Sequence, residues 1–216
     1  MIIVAHDADT TSSFLFSHKQ KAYFPIKRLV GICGSVIGIV FCSVFFWWWI
    51  IPINAIVTNG HPFFRQERLG KNKKVFRVIK FRSMRLDANP NLAPSDMVVE
   101  KQISMETRFG KFLRKTSLDE TMQLVNILLG DMAFIGPRPG AARNEEALVI
   151  EREKYNPSAY TVKPGLSGLA QIKLHRNHDP ALKAKYDHEY VERISFGLDF
   201  RLFVLTVLRV FSSGAR

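Results

Sequence analysis

LVGICGSVIGIVFCSVFFWWWIIPINAIV, residues 29–57, runs for 29 positions without a charged side chain. A helix needs roughly 20 apolar residues to cross bilayer hydrocarbon, and helices of soluble proteins rarely exceed about 25 residues without a polar face. The stretch therefore belongs in a membrane, and the fold is organised around it. It starts too far from Met1 to be a removed leader and has no small-residue cleavage site, so it reads as a retained anchor. Lys19, Lys21, Lys27 and Arg28 precede it and more lysines and arginines follow it, which draws both flanks to the cytoplasm. Two geometries remain open. The helix spans, or it is re-entrant, bending at Gly31, Gly34, Gly38 or Pro52 with protein groups satisfying the backbone freed at the bend.

The chain divides around this anchor into a polar N-terminal tail (1–26), a membrane helix (27–58) and a cytoplasmic domain (59–216). The tail, with DADTTSS, shows neither helical nor strand periodicity. The domain follows with an uneven charge: nine Lys or Arg and one acid, Glu67, lie between Arg65 and Arg85, in a chain of 216 residues and net charge +12. Such a block faces nucleic acid, an anionic membrane or a phosphorylated substrate. HPFFRQERLGKNKKVFRVIKFRSM, residues 61–84, reads as two strands joined at Leu69-Gly70-Lys71-Asn72, a basic hairpin whose second strand runs through Phe81. LDANPNLAPSD, residues 86–96, reads as a loop. Cys33 and Cys42 both lie in the apolar run and read as small buried hydrophobes, not as a disulfide.

RKTSLDETMQLVNILLGDMAFIGPRPG, residues 114–140, has the strongest local logic. Ser117 with Glu120 three residues later forms a capping-box pattern, and Gly130 suits a helix stop. On that helix Leu118, Met122, Val125 and Leu129 share an apolar face, and Asp119, Gln123 and Asn126 a polar one. The following MAFIGPRPG reads as a short strand into a rigid turn that fixes Arg138. A helix N-terminus with Arg114 ahead of it can cradle a phosphate. An aspartate there can attack phosphorus, and a second acid can hold Mg²⁺. From the pattern alone, the two acids read first as a capping box with a dipole-friendly acid, a common arrangement. Further on, RNEEALVIEREKY reads as a charged helix, VKPGLSGLAQI as a turn into a strand or loop, and Asp179-Pro180 as the start of a helix ending near Glu192. SFGLDFRLFVLTVLRVF, residues 195–211, suits a helix in the membrane interface or an ordinary buried one.

Taken together and in order, FFRQERLGKNKKVFRVIKFRSM, RKTSLDETMQLVNILLGDMAFIGPRP and VKPGLSGLAQI resemble the bacterial sugar transferases, the monotopic polyprenyl-phosphate phosphoglycosyl transferases, from about Lys27 to Phe211. The resemblance implies transfer of a sugar 1-phosphate from a UDP-sugar to polyprenyl (undecaprenyl) phosphate with release of UMP, starting exopolysaccharide, O-antigen or glycan assembly. It implies Asp119 as a covalent nucleophile, Glu120 as a Mg²⁺ ligand, Arg114 as a phosphate partner, and Pro137, Arg138 and Pro139 near the nucleotide. Lys80 and Arg82 resemble further phosphate partners, and Asp199 an acid near the active site. Two departures are visible. SVFFWWW, residues 43–49, stands where members commonly carry a Ser-Pro break, and KRLVG stands where KRLFD is typical.

The expected fold is α/β: a small membrane-anchored domain with an N-terminal re-entrant or spanning helix, a basic hairpin and several short helices, some interfacial. The expected location is a bacterial inner membrane, catalytic domain in the cytoplasm, with UDP-sugar, polyprenyl phosphate and membrane lipid as partners, a homo-oligomer allowed and no nucleic acid. The competing class is a non-catalytic membrane protein that binds anionic lipid or nucleic acid; it has no use for Asp119 and Glu120 near Arg114. His175, His178 and His188 with Asp179 and Asp187 could be drawn as a zinc cluster, but no cysteine lies nearby and they read as solvated polar residues. Trp47, Trp48 and Trp49 read as lipid-facing or interface-anchoring residues, not as a stacking platform for bases.

Overall fold

A computed structural model describes residues 16–86, 105–140, 145–174 and 179–213. The tail reading for residues 1–15, most of the loop reading at 86–96, and His175 and His178 fall outside the described residues.

The helix begins well before the apolar run. Ser17 and Gln20 form a complete capping box, the Gln20 N–H reaching Ser17 Oγ at 3.3 Å and the Ser17 N–H reaching Gln20 Oε1 at 2.8 Å. Residues 18–26, expected in the tail, are therefore the first turns of α1 (His18–Cys42). A π-helical turn, Ser43–Trp47, joins α1 to α2 (Trp48–Val57), and the three make one helical rod of 40 residues. At 1.5 Å per residue that is about 60 Å, twice the thickness of bilayer hydrocarbon. The π turn falls where the family's Ser-Pro break would stand, so the helix is locally underwound and widened there and continues through it.

One face of this rod packs on the rest of the protein along its length. Gly31, Gly34 and Gly38 meet Ile127, Phe134 and Leu124. Cys42 enters the cluster of Val78, Ile127 and Met132, and Ile50 the cluster of Phe81 and Leu113. Near the far end the Asn54 amide donates to the carbonyls of Pro62 and Arg82 at 2.7 and 3.1 Å. The other face, including Leu29, Ile37, Val40, Val44, Phe45, Trp48 and Ile56, is exposed and apolar. Two expectations change accordingly. Cys33 is exposed, and only Cys42 is buried. The tryptophans divide by helical phase, Trp47 facing inward to Phe81 and Thr121 while Trp48 is 68% exposed.

β1 (Phe63–Leu69) pairs antiparallel with β2 (Val75–Phe81), Gln66 opposite Val78, across a turn that runs from Gly70 to Lys74 and so begins one residue later than the sequence suggests. After α3 (Arg108–Lys115) a short 3₁₀ turn (Leu118–Glu120) leads into α4 (Gln123–Leu129). Asn126 fastens α4 to the hairpin: its side-chain oxygen accepts from the Ile79 N–H at 3.0 Å and its amide donates to the Arg77 carbonyl at 2.8 Å. Arg28 caps the other end, donating to the carbonyls of Ile127 and Leu128, the favoured place for a cation on a helix.

β3 (Ala133–Ile135) pairs in parallel with β4 (Gly165–Ser167). The approach is so close that a side-chain carbon on Gly165 would sit 2.1 Å from the Gly136 nitrogen. Around this pair lie α5 (Glu146–Glu153), α6 (Leu169–Leu174), α7 (Pro180–Glu192) and α8 (Phe196–Ser213). Asp179 caps α7, as the sequence implies, accepting from the Ala181 N–H at 2.8 Å. α8 is two-sided: Leu202 joins the core with Tyr190 and Ile194, while Phe196, Phe200, Phe203 and Leu208 are exposed. Among the described residues, exposed apolar faces thus lie on the 40-residue rod and on α8.

Candidate active site

The acid pair does not stand at an α-helix cap. Ser117 adopts the left-handed conformation, φ 57°, and makes no capping hydrogen bond. Asp119 and Glu120 lie in the 3₁₀ turn, and α4 starts only at Gln123. The expected faces hold only in part: Leu118 and Met122 of the apolar face pack against the cluster of Phe81 and Leu113, but the buried side of α4 is a different one. Gln123, Leu124, Asn126 and Ile127 are the buried residues of α4, whereas Leu129 is exposed, so the polar stripe of Asp119, Gln123 and Asn126 points inward.

What claims Glu120 is tertiary structure. Lys80, from β2, donates to Glu120 Oε1 at 2.6 Å, and Arg138, from the turn after β3, donates to the same oxygen at 2.9 Å. Burial alone would raise the Glu120 carboxyl, but these two cations overcome it and hold Glu120 well below the usual carboxylate range. Asp119, only 8% exposed, is the opposite case. Burial first, and then the adjacent Glu120 charge, push its pKa to about 6, against the weaker pull of Lys80, Arg114 and Arg138. No hydrogen bond to the Asp119 carboxylate forms among the described residues. One acid is held in its charged form by two cations; its neighbour makes no such pair and is pushed up to about 6, a separation typical of catalytic carboxylate pairs.

The Pro-Arg-Pro turn that presents Arg138 is held from several directions. The Pro137 carbonyl accepts from the Gly165 N–H at 2.9 Å, the Pro139 carbonyl from Arg68 at 3.1 Å, and the Arg138 carbonyl from Arg152 at 2.8 Å. Arg152 is itself buried, its Nε and Nη2 both donating to Oδ2 of Asp187 on α7. Sequence reading missed Arg68 and Arg152, and it set Asp187 beside histidines as a metal candidate. Its real partner is the α5 arginine, and no cluster of three metal-ligating side chains exists among the described residues.

Lys80, Glu120 and Arg138 are thus brought together, with Asp119 close enough to feel the charge of all three, and Pro137 contributes through the turn that carries Arg138. Three other candidates are engaged elsewhere. Arg114 donates to Ser83 at 2.8 Å and pairs with Glu106, touching Asp119 only through its field. Arg82 donates to the His61 carbonyl at 3.1 Å and lies over the Phe64 ring. Asp199 accepts from Tyr23, Lys27 and Tyr190, tying α8 to the first turns of α1.

A cavity of about 820 Å³ opens over this cluster. Arg68, Glu120, Arg138, Arg152 and Lys183 give it a charged wall, and Phe41, Cys42, Phe46, Leu166 and Val210 give it an apolar one drawn from the rod, β4 and α8. Ser117, Leu118, Glu120 and Thr121 line it, whereas Asp119, between two of these residues in sequence, is itself buried and not part of the lining. Both cations use Oε1 of Glu120, and Oε2 makes no hydrogen bond among the described residues. A carboxylate that lines the cavity and keeps one oxygen uncommitted could contribute to a Mg²⁺ site, since that ion is commonly held by one or two carboxylates completed by substrate phosphates and water.

The family profile described as "Bacterial sugar transferase" matches residues 22–213. The chain is 36% identical over 196 residues, 84% of its length, to the galactosyl transferase CpsE of Streptococcus agalactiae, and covers 41% of that protein. It is 40% identical over 156 residues, 70% of its length, to the UDP-glucose:undecaprenyl-phosphate glucose-1-phosphate transferase of Xanthomonas campestris, covering 32% of it. It thus spans about a third to two fifths of those relatives. A further relative, the uncharacterized sugar transferase EpsL of Bacillus subtilis, is 34% identical and matched over 87% of this chain and 88% of its own. The chain belongs to the bacterial sugar transferase family.

Proposed function

We propose that the chain transfers a sugar 1-phosphate from a UDP-sugar to undecaprenyl or a related polyprenyl phosphate, releasing UMP and initiating glycan assembly in a bacterial inner membrane. The observation that carries the reading is the cluster of Glu120, Lys80 and Arg138 beside an uncommitted Asp119, at a cavity with one charged and one apolar wall.

In the first step an Asp119 carboxylate oxygen attacks the phosphorus that bears the sugar. The bond from that phosphorus to the bridging oxygen breaks, UMP leaves with the electron pair, and an aspartyl sugar phosphate remains. In the second step an oxygen of polyprenyl phosphate attacks the same phosphorus and the acyl–phosphate bond breaks, restoring the carboxylate and giving a polyprenyl diphosphate sugar. Arg138 and Lys80 neutralise charge on the diphosphate, the Pro-Arg-Pro turn orients it, and the apolar wall takes the first isoprene units. Glu120 Oε2 would hold Mg²⁺, which supplies charge neutralisation between the phosphates and the anionic nucleophile.

The helical rod is proposed to lie within one leaflet, the apolar face in lipid and both ends on the cytoplasmic side. Its contacts with the domain recur from Gly31 through Asn54, leaving no stretch of about 20 residues free to cross hydrocarbon alone. The exposed face of α8 would enter the same interface.

The test is a UMP-release assay on detergent-solubilised protein with a panel of UDP-sugars, undecaprenyl phosphate and Mg²⁺. Release with one or a few of the sugars, dependent on the lipid, is the expected result. No release with any of them, from folded protein, would overturn the reading.

A further inference from the structure

A second cavity, of about 310 Å³, opens between the first turns of α1, the β1–β2 turn and the residues leading into β4, and shares no lining residue with the acid site. Phe16, Phe24, Met132, Val162 and Ile194 give it an apolar floor, and Lys21, Lys27, Arg28, Lys71 and Lys163 surround that floor with cations. Two of the five are engaged: Lys27 is paired with Asp199 at 2.7 Å, and Arg28 caps α4. Lys21, Lys71 and Lys163 form no ion pair among the described residues.

The crowding is measurable. A side-chain carbon on Gly130 would lie 3.3 Å from both Lys163 Nζ and Arg28 Nη2, so the two cations close on the same point. Burial, and then the charges of Arg28 and Lys71, hold the Lys163 ammonium below its ordinary value, with Asp131 alone opposing them. Like charges gathered at an apolar surface repel, and an anion seated among them removes that cost.

The location selects the kind of anion. The α1 wall of the cavity carries Lys21, Lys27 and Arg28, the uncharged run starts at Leu29, and Ile26, Leu29 and Val30 beside it are exposed. Charged residues at the end of an apolar helix mark the level of lipid headgroups, and basic clusters there select anionic ones. We propose that this cavity binds the phosphate headgroup of an anionic phospholipid, with Arg28, Lys71 and Lys163 around the phosphate and Phe16, Phe24 and Val162 against the first acyl carbons. Such a lipid would fix the depth of the domain at the membrane and would not be a reactant, because nothing in the cavity belongs to the acid site. The proposal rests on membrane association and not on the transferase chemistry.

The test uses the full chain in neutral detergent, melted with dioctanoyl phosphatidylglycerol, dioctanoyl phosphatidylcholine, inorganic phosphate or undecaprenyl phosphate. Phosphatidylglycerol should raise the melting temperature in a saturable way, and phosphatidylcholine and inorganic phosphate should not. Lys163→Gln and, separately, Lys71→Gln on the exposed turn should each weaken the phosphatidylglycerol effect about fivefold in midpoint concentration. Lys163→Gln should also leave the lipid-free protein as stable as the parent or more so. An equal shift with phosphatidylcholine, or full reproduction by inorganic phosphate, overturns the proposal. So does a phosphatidylglycerol response unchanged in both variants. An undecaprenyl phosphate response that falls with both substitutions assigns the cavity to the reactant and overturns it as well.

Discussion

Asp119→Asn separates the demands of chemistry from those of folding. The carboxyl is raised from 3.8 to about 6 by burial and by Glu120, despite the three cations near it. At about 1.4 kcal/mol per pH unit, holding that charge in the folded state costs up to about 3 kcal/mol. A carboxyl whose folded pKa is raised costs nothing below its unfolded value, where it is protonated in both states. The penalty grows as pH rises from about 4 to about 6 and is complete above that range. Asparagine is neutral throughout and nearly the same size. The variant should therefore equal the wild type at pH 4 and exceed it by up to about 3 kcal/mol at pH 7.5. Urea unfolding of detergent-solubilised protein at the two pH values reads the difference. UMP release should fall to background, since an amide cannot form the acyl phosphate. Wild-type enzyme given the correct UDP-sugar and no acceptor should gain the mass of one sugar phosphate, labile to hydroxylamine and located on Asp119. A stability gap independent of pH would refute the buried-charge argument. A folded variant with near wild-type turnover would refute the nucleophile assignment.

Wild-type turnover should rise with pH through about 6 as Asp119 ionises, and a flat profile between pH 5 and 8 would show that another group attacks. Turnover should require Mg²⁺ and vanish in excess EDTA, whereas full activity in chelator would remove the metal role given to Glu120. Arg152→Met should destabilise by about 3–5 kcal/mol by stranding buried Asp187, and adding Asp187→Leu should recover much of this without restoring turnover, because Arg152 also holds the Arg138 carbonyl. Recovery of turnover in the double variant would show that the turn needs no such support. Cysteines placed at Ser17 and Asn72 in a background lacking Cys33 and Cys42 should both resist an impermeant thiol reagent on intact cells. Labelling at one position only would establish a spanning helix.

The two Ser-x-x-Glu/Gln patterns show what local sequence can and cannot decide. Ser17 with Gln20 forms a real capping box, in a segment whose composition reads as tail. Ser117 with Glu120 has the better-looking pattern and forms none. The difference is not local: Glu120 is taken by Lys80, 40 residues earlier, and Arg138, 18 residues later. A charge-assisted bond between a carboxylate and two cations outweighs a cap contributing about 1 kcal/mol. The same override explains α4, where Asn126 belongs inside because it completes the edge of β2, a partner no periodicity in residues 117–130 reveals. Arg152 and Asp187 were hidden in the same way, each lying among charged residues on a helix that also has a solvent face. By contrast the Asp179 cap, the turn at residues 136–140 and the length of the apolar run depend on backbone rules and neighbours a few residues away, so they were legible. The residues that build the candidate site were therefore readable as chemistry before they were readable as geometry. The acids and cations stand out in the sequence, but which cation meets which acid follows only once the hairpin, the 3₁₀ turn and the Pro-Arg-Pro turn are assembled on one side of the helical rod.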